Sequence, residues 1–413
     1  TGSLGNQAIS DCYPYIQKLN MQGLGGYLMN GEPVTYAAVS APPSGKLTWE
    51  TVIHHNLGLD LGFFDNRLNL SADLFIRDTK DMLVPGKMLP GVYGATPPKE
   101  NAANLRTKGF ELAVSWYDQF NLGNKPFSYN LSFGLSDSKS VITKFDNPMK
   151  EFAKSSYYEG MTIGEIWGYK IDGLFQTDEE AAAYAKAVDN SYVCENIFVT
   201  AVGDYKGLQA GDPRYVDIDG SGRIDDGEKT ANNRGDMRVI GNSRPRYNYS
   251  GSINLGWNGF DISAFFQGVG RQHRYPDGNA MLFWGGYARP YSSFVPEHFL
   301  DDVWSEDNPD AYFPKLRGYA AQGDRHLAKV NNRYLQNTAY CRLKNLTVGY
   351  TLPVDLTRKA RIDRVRVYFS GDNLVTWTAL KSKYIDPEQF STDCSARVYP
   401  FAKTFSFGLD ITF

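Results

Sequence analysis

The chain has 413 residues, 42% of them hydrophobic and 22% charged, with a formal net charge of −3; this is the composition of a folding chain and excludes an intrinsically disordered one. A balance so near neutral gives no electrostatic reason for a nucleic-acid partner. No apolar run reaches about 18 residues, which excludes a transmembrane helix. The mean hydropathy of −0.41 leaves a membrane β-barrel open, because barrel strands alternate apolar and polar residues and average out as hydrophilic.

With 27 Tyr, 24 Phe and 40 Gly, the composition favours strands and turns over helices. The opening residues Thr1–Gln7 show no basic or apolar leader pattern, so the expectation is a processed chain or one that starts inside a longer protein. Cys12, Cys194, Cys341 and Cys394 have no metal spacing. They are too few for a disulfide framework and leave one or two bridges or free thiols open.

Period-2 alternation dominates, and it predicts nine strands in chain order. Leu57, Leu59, Leu61 and Phe63 alternate with Gly58, Asp60 and Gly62, giving a strand over about 50–63. Leu68 to Ile76 give a second, over about 66–78. The next two run over about 104–117, carrying Phe110, Leu112, Val114 and Trp116, and about 126–139, carrying Tyr129, Leu131 and Phe133. Further strands follow over about 245–257, 259–271, 339–352 and 363–374. The last, about 403–413, is the clearest, with Phe405, Phe407, Leu409, Ile411 and Phe413 set against Ser406, Gly408, Asp410 and Thr412. Residues 1–6 fit the end of a tenth. Each strand is long enough to cross a bilayer at a tilt, and the alternate face is polar but seldom charged. Asp60, Asp73 and Glu111 fall on that polar face.

The connections sort by length. Short ones, such as Phe64-Asp65 and Asn258, alternate with long ones at 7–49, 79–103, 140–244, 272–338 and 375–402. Outer-membrane barrels have this arrangement, with short periplasmic turns and long extracellular loops. The reading is therefore all-β, an antiparallel transmembrane β-barrel. Within the long links, Thr177 and Glu180 form a capping box for a helix over 178–188, and Pro296 opens a second helix over 297–304.

Asp217-Ile218-Asp219-Gly220-Ser221-Gly222-Arg223-Ile224-Asp225-Asp226-Gly227-Glu228 has calcium-loop spacing. Asp217, Asp219, Ser221, the Arg223 carbonyl, Asp225 and Glu228 would wrap oxygens around one Ca²⁺ as a structural brace of link 140–244. A solvated Asp/Gly loop is the alternative. Link 272–338 concentrates Tyr275, Asp277, Trp284, Tyr287, Arg289 and Tyr291, together with Phe283 and Phe294. Rings that stack on sugar faces beside groups that bind hydroxyls make a substrate site. Loop packing, an interfacial belt or contact with a lid protein are the alternatives. His54-His55 sits in a strand and allows a metal or a plain lining role. No nucleophile elbow or phosphate loop occurs, so the chain is not read as an enzyme.

Several segments in order resemble the SusC/RagA family of TonB-dependent outer-membrane transporters of Bacteroidetes. They include Gly2-Ser3-Leu4-Gly5-Asn6-Gln7, Asn56-Leu57-Gly58-Leu59-Asp60, Arg77-Asp78-Thr79-Lys80-Asp81-Met82-Leu83 and Asn104-Leu105-Arg106-Thr107-Lys108-Gly109-Phe110-Glu111. Trp304-Ser305-Glu306-Asp307-Asn308-Pro309, Arg342-Leu343-Lys344-Asn345-Leu346-Thr347-Val348-Gly349-Tyr350 and Gly371-Asp372-Asn373-Leu374 continue the series. The resemblance spans essentially the whole chain. It implies a barrel of about 22 strands around an N-terminal plug, of which residues 1–413 supply the C-terminal nine or ten and no plug. It also implies an outer-membrane location and import of an oligosaccharide, or a peptide, with a SusD-like surface lipoprotein as lid. TonB would act through the N-terminal part that is missing here. A terminal Phe413 matches the signal read by the barrel-assembly machinery. A non-transporting surface or adhesive β protein is the competing reading.

Overall fold

The computed structural model describes residues 2–5, 16–40, 42, 47–86, 92, 97–152, 157–198, 207–293, 295, 297–323, 325–381, 385–390 and 401–413. It divides into two compact units: residues 1–57, 74–109 and 139–163, and residues 58–73, 110–138 and 164–413.

Ten strands form one sheet among the described residues. They are β1 (Gly2–Gly5), β2 (Glu50–Phe63), β3 (Leu68–Pro85), β4 (Lys99–Leu122), β5 (Lys125–Lys144), β6 (Arg246–Trp257), β7 (Phe260–Arg271), β8 (Tyr340–Thr351), β9 (Arg364–Thr378) and β10 (Thr404–Thr412). Their order in the sheet is their order in the chain, and the β1–β2 pair and all pairs from β5 to β10 are antiparallel. This is the meander that short alternate turns dictate. Two of those turns are two residues long with both φ angles positive, Gly123-Asn124 (57°, 61°) and Asn258-Gly259 (48°, 87°). This conformation suits the right-handed twist of the strands it joins, and Asn and Gly are the residues that adopt it. At Gly259 a Cβ would also lie 2.6 Å from the Thr351 carbonyl.

Several strands run further than the alternation foretold. β3 continues to Pro85 and β4 starts at Lys99, so the second long link spans only 86–98. β9 continues to Thr378. In the first unit, link 7–49 carries a hairpin, Leu19–Met29 paired with Glu32–Val39, where alternation predicts only a long connection. The expected helix over 297–304 is instead a single 3₁₀ turn, Phe299–Asp302, and Pro296 lies outside the described residues. The helix at 178–188 is present as α1, Asp178–Ala187. Thr177 Oγ1 accepts the Glu180 N–H at 3.1 Å and Glu180 Oε2 accepts the Gln176 N–H at 2.8 Å, so the cap satisfies one orphan donor of the first turn and the N–H just before the N-cap.

Among the described residues, several strands turn their apolar side to no packed core. Leu57, Leu59, Leu61 and Phe63 of β2, Leu131 and Phe133 of β5, and Phe405, Phe407, Leu409 and Ile411 of β10 are all exposed, Phe407 by 83%. The packed core lies elsewhere, in the second unit, and is built from three long links. Tyr169, Phe175, Val193, Tyr215 and Ile224 come from 140–244, Phe283, Trp284, Tyr287, Phe313 and Tyr334 from 272–338, and Leu380 and Phe390 from 375–402.

Candidate functional site

The second unit's strands border an open concavity of about 520 Å³ lined by Ser71, Asp73, Glu111, Ser136, Asn248 and Gln267, with Leu112, Leu135, Phe265 and Val269 between them. Asp60 lines a neighbouring, more apolar one with Asn66, Asn69 and Ser132 and with Leu61, Leu70, Val114 and Phe133. The alternation that exposes Leu131 therefore places Ser132 and Glu111 on a hydroxyl, amide and carboxylate surface. Some strand charges are paired: Arg246 meets both oxygens of Asp137 at 2.5 Å. Arg366 meets both of Asp261 at 3.0 and 2.6 Å, and Asp410 at 3.3 Å. Such bidentate pairs fix side-chain direction as well as charge.

Of the six residues expected to contact substrate, the structure separates two groups. Trp284 and Tyr287 are fully buried and offer no face to a sugar; this corrects the expectation for both. Trp284 Nε1 donates to the carbonyls of Asp277 at 2.9 Å and Pro276 at 3.2 Å, and the Tyr287 hydroxyl donates to the Pro314 carbonyl. Burial raises the Tyr287 phenol. Tyr275 is half-buried and packs against that core. Its hydroxyl donates to the Leu327 carbonyl at 2.6 Å and accepts from Asn331 Nδ2 at 2.7 Å, and burial pushes its phenol well up. Asp277, Arg289 and Tyr291 are exposed. Phe294 lies outside the described residues.

The link core also holds polar groups that the sequence reading did not single out. Asp212 has no exposure and takes both nitrogens of Arg317 at 2.9 and 2.7 Å. His326 is buried, and burial, then Arg317 and Arg325, hold its imidazole down to about 3. Cys194, in the kinked helix α2 (Ser191–Phe198), is a buried free thiol pushed up by burial, and Cys341 is also free. Cys12 and Cys394 lie outside the described residues. His54 packs its ring edge-on against Phe75 at 5.8 Å.

In the acidic loop, the carboxylates of Asp217 and Asp219 lie within 4.8 Å of each other and of Asp236. Asp236 is fully buried and accepts the N–H groups of Ile218 at 2.6 Å and Asp225 at 3.0 Å; burial raises its carboxyl. Asp217 accepts the N–H groups of Gly220 and Gly222, both at 2.8 Å. Asp219 Oδ1 accepts the Ser221 N–H at 2.9 Å. The other expected ligands are arranged differently. The Ser221 hydroxyl donates to the Arg223 carbonyl at 2.9 Å, Asp225 accepts the Gly227 N–H at 2.8 Å, and Glu228 is exposed. Asp225 and Glu228 are outside the three-carboxylate group, and Asp236 is the member the spacing rule missed, because it follows the loop by a turn and approaches from across it.

The model of the family described as "TonB dependent receptor-like, beta-barrel" matches residues 15–374. The chain belongs to that family. Among curated relatives, TonB-dependent receptor P3 of Formosa agariphila is 28% identical over all of this chain and 38% of its own length. TonB-dependent receptor SusC of Bacteroides thetaiotaomicron is 25% identical over all of this chain and 37% of its own length. The chain thus spans well under half of the relatives it matches. Among solved structures, the RagAB peptide importer in its closed-closed state superposes with a TM-score of 0.65 at 18% identity, over all of this chain and 40% of that one. The open-open state gives 0.63 at 19%, over 97% of this chain and 38% of that one. At such identities these two likenesses speak for the fold, the strand meander of a SusC/RagA-type barrel.

Proposed function

We propose that this chain is barrel wall and extracellular cap of an outer-membrane, TonB-dependent importer that takes up an oligosaccharide, with a peptide as the other candidate cargo. The carrying observation is where the apolar surface goes. Stripes of Leu, Phe and Ile stand exposed along strands whose alternate residues carry Asp73, Glu111, Ser136, Asn248 and Gln267 beside an open concavity, while a separate core packs inside three long links. In water such stripes would cost about 25 cal/mol per Å²; in a bilayer they are solvated, and the polar face then lines a lumen. The family and the SusC and RagAB likenesses support the same reading, including a SusD-like surface lipoprotein as partner and TonB acting through the part of the relatives this chain does not match.

The acidic loop takes a structural role in this reading, with Asp217, Asp219 and Asp236 as carboxylate donors to Ca²⁺, a cation that favours such oxygen sets. The buried Asp236 fits, since a cation offsets the cost of a desolvated anion. Ser221, the Arg223 carbonyl, Asp225 and Glu228 would need to turn toward the ion to complete the shell.

The test is uptake of radiolabelled oligosaccharide and peptide pools by cells carrying or lacking the gene, in the presence and absence of TonB. TonB-dependent loss of saccharide uptake in the deletion strain is expected. Unchanged uptake of both pools contradicts import; loss of peptide uptake alone reassigns the cargo.

A further inference from the structure

The exposed residues of link 272–338 gather around a feature that packing does not explain. Tyr291 is 76% exposed and Tyr319 is 37% exposed, and their rings stand 6.2 Å apart, tilted by 53°. The Arg325 guanidinium lies 5.2 Å from the centre of the Tyr319 ring, and Arg289, two residues before Tyr291, is exposed. Tyr319 holds a φ of +64°. A bulky residue there is a genuine outlier, of the kind found where surrounding structure over-determines a conformation and often at ligand sites. One backbone and one side-chain bond hold the turn: the Gln322 N–H donates to the Tyr319 carbonyl at 2.9 Å, and the Arg325 side chain donates through Nη1 to the Gly318 carbonyl at 3.3 Å. A Cβ on Gly318 would lie 3.0 Å from Pro290, so the turn carrying Tyr319 and Arg325 is seated closely on the segment carrying Arg289 and Tyr291.

We infer that Arg289, Tyr291, Tyr319 and Arg325 form a binding ledge for an acidic saccharide, one bearing carboxylate or sulfate groups. Exposed tyrosine faces present a flat apolar surface with a polar tip, which matches the C–H face and hydroxyl rim of a sugar ring. A guanidinium has five N–H donors in a fork that fits an oxyanion. Arg325 spends one of them on Gly318 and pairs with no acidic group among the described residues. Laying that cation on Tyr319 keeps it in place beside the ring, so one ligand unit can meet an aromatic face and a positive charge together. A neutral glycan would use the rings alone. The inference rests on the import reading and names the substrate class for it.

The experiment is calorimetric titration of the full-length transporter, purified in detergent, with four probes: oligogalacturonate, chondroitin sulfate oligosaccharide, maltohexaose and hexaglutamate. One or both acidic saccharides should bind at least about tenfold more tightly than maltohexaose, and binding should weaken with salt. The carboxylated and sulfated arms tell the two anions apart. Arg325→Gln, whose amide can still donate to the Gly318 carbonyl, should reduce acidic-saccharide affinity about tenfold and maltohexaose affinity far less, whereas Tyr291→Ala should weaken both to a similar degree. Equal affinity for maltohexaose, hexaglutamate binding as tightly as the saccharides, or unchanged affinity in both variants would overturn the ledge. So would a lack of binding to any saccharide in a protein whose TonB-dependent uptake of another nutrient persists; there the import reading survives. Loss of TonB-dependent uptake altogether is the separate failure of the import reading.

Discussion

Replacing Trp284 by alanine separates a structural role from a ligand-contacting one for the aromatic residues of 272–338. The indole has no exposure and meets the rings of Tyr275, Phe283, Phe313 and Tyr334 at centroid distances of 6.2, 4.8, 6.3 and 5.4 Å. Truncating a buried Trp to Ala costs about 3–5 kcal/mol. Stranding the Pro276 and Asp277 carbonyls adds about 1 kcal/mol. Since a whole domain is held by about 5–15 kcal/mol, the link core of the variant should open often at growth temperature while the strands stay in the membrane. Proteolysis of outer membranes with fragment mapping reads the first; retention of the heat-modifiable gel band reads the second. Trp284→Phe keeps a ring and should be cut far more slowly than Trp284→Ala. Wild-type protease resistance in Trp284→Ala, together with a specific loss of saccharide binding, would refute the buried-core assignment and return Trp284 to a substrate surface.

Four further outcomes follow from the same geometry. Arg317→Ala leaves the fully buried Asp212 without its bidentate partner; removal of one member of a buried pair costs about 3–5 kcal/mol, which thermal unfolding of the link core should register. His326, held down to about 3 against an unfolded value of about 6.5, favours its neutral form when folded. Its contribution is therefore complete above about pH 6.5 and declines as pH falls toward 3, at about 1.4 kcal/mol per unit; His326→Gln should show a smaller loss of melting temperature between pH 7 and pH 5 than wild type. Chelating Ca²⁺ should make 217–236 protease-sensitive in wild type, and Asp236→Asn should abolish any protection that added Ca²⁺ gives. Leu131→Arg, on the exposed apolar stripe, should reduce barrel stability by about 2–4 kcal/mol at mid-bilayer depth. Ser132→Arg, one residue on and on the polar face, should cost much less; denaturant titration in liposomes compares them.

The strands were legible because their two faces meet different surroundings, so alternation in Phe405–Phe413 or Leu57–Phe63 has a cause that acts on each residue locally. Turn chemistry at Asn258-Gly259 is local too. The link core was not legible. Tyr215 donates to the His326 carbonyl across 111 positions at 2.5 Å, and Arg317 finds Asp212 across 105; no period marks such partners. Composition showed that 272–338 is aromatic but not that Trp284 turns inward while Tyr291 stays out, since core and ligand surface use the same residue types. Asp236 was missed because the calcium pattern ends at position twelve, although the Gly235-Asp236 pair after an Asn-rich turn is a sequence cue that a second acidic group returns there. The hairpin at Leu19–Met29 was hidden by its glycines, Gly23, Gly25 and Gly26, which interrupt the alternation.

The central claim, that the exposed Leu and Phe stripes face lipid and the alternate residues face a lumen, is most directly tested by spin-label accessibility in the outer membrane. Labels placed singly at Leu59, Leu131 and Leu409, and at their neighbours Asp60, Ser132 and Asp410, would be compared for collision with oxygen and with a water-soluble nickel chelate. High oxygen and low nickel collision at the first three, with the reverse at their neighbours, is the predicted result. Equal nickel access on both sets would place both faces in water and contradict the account.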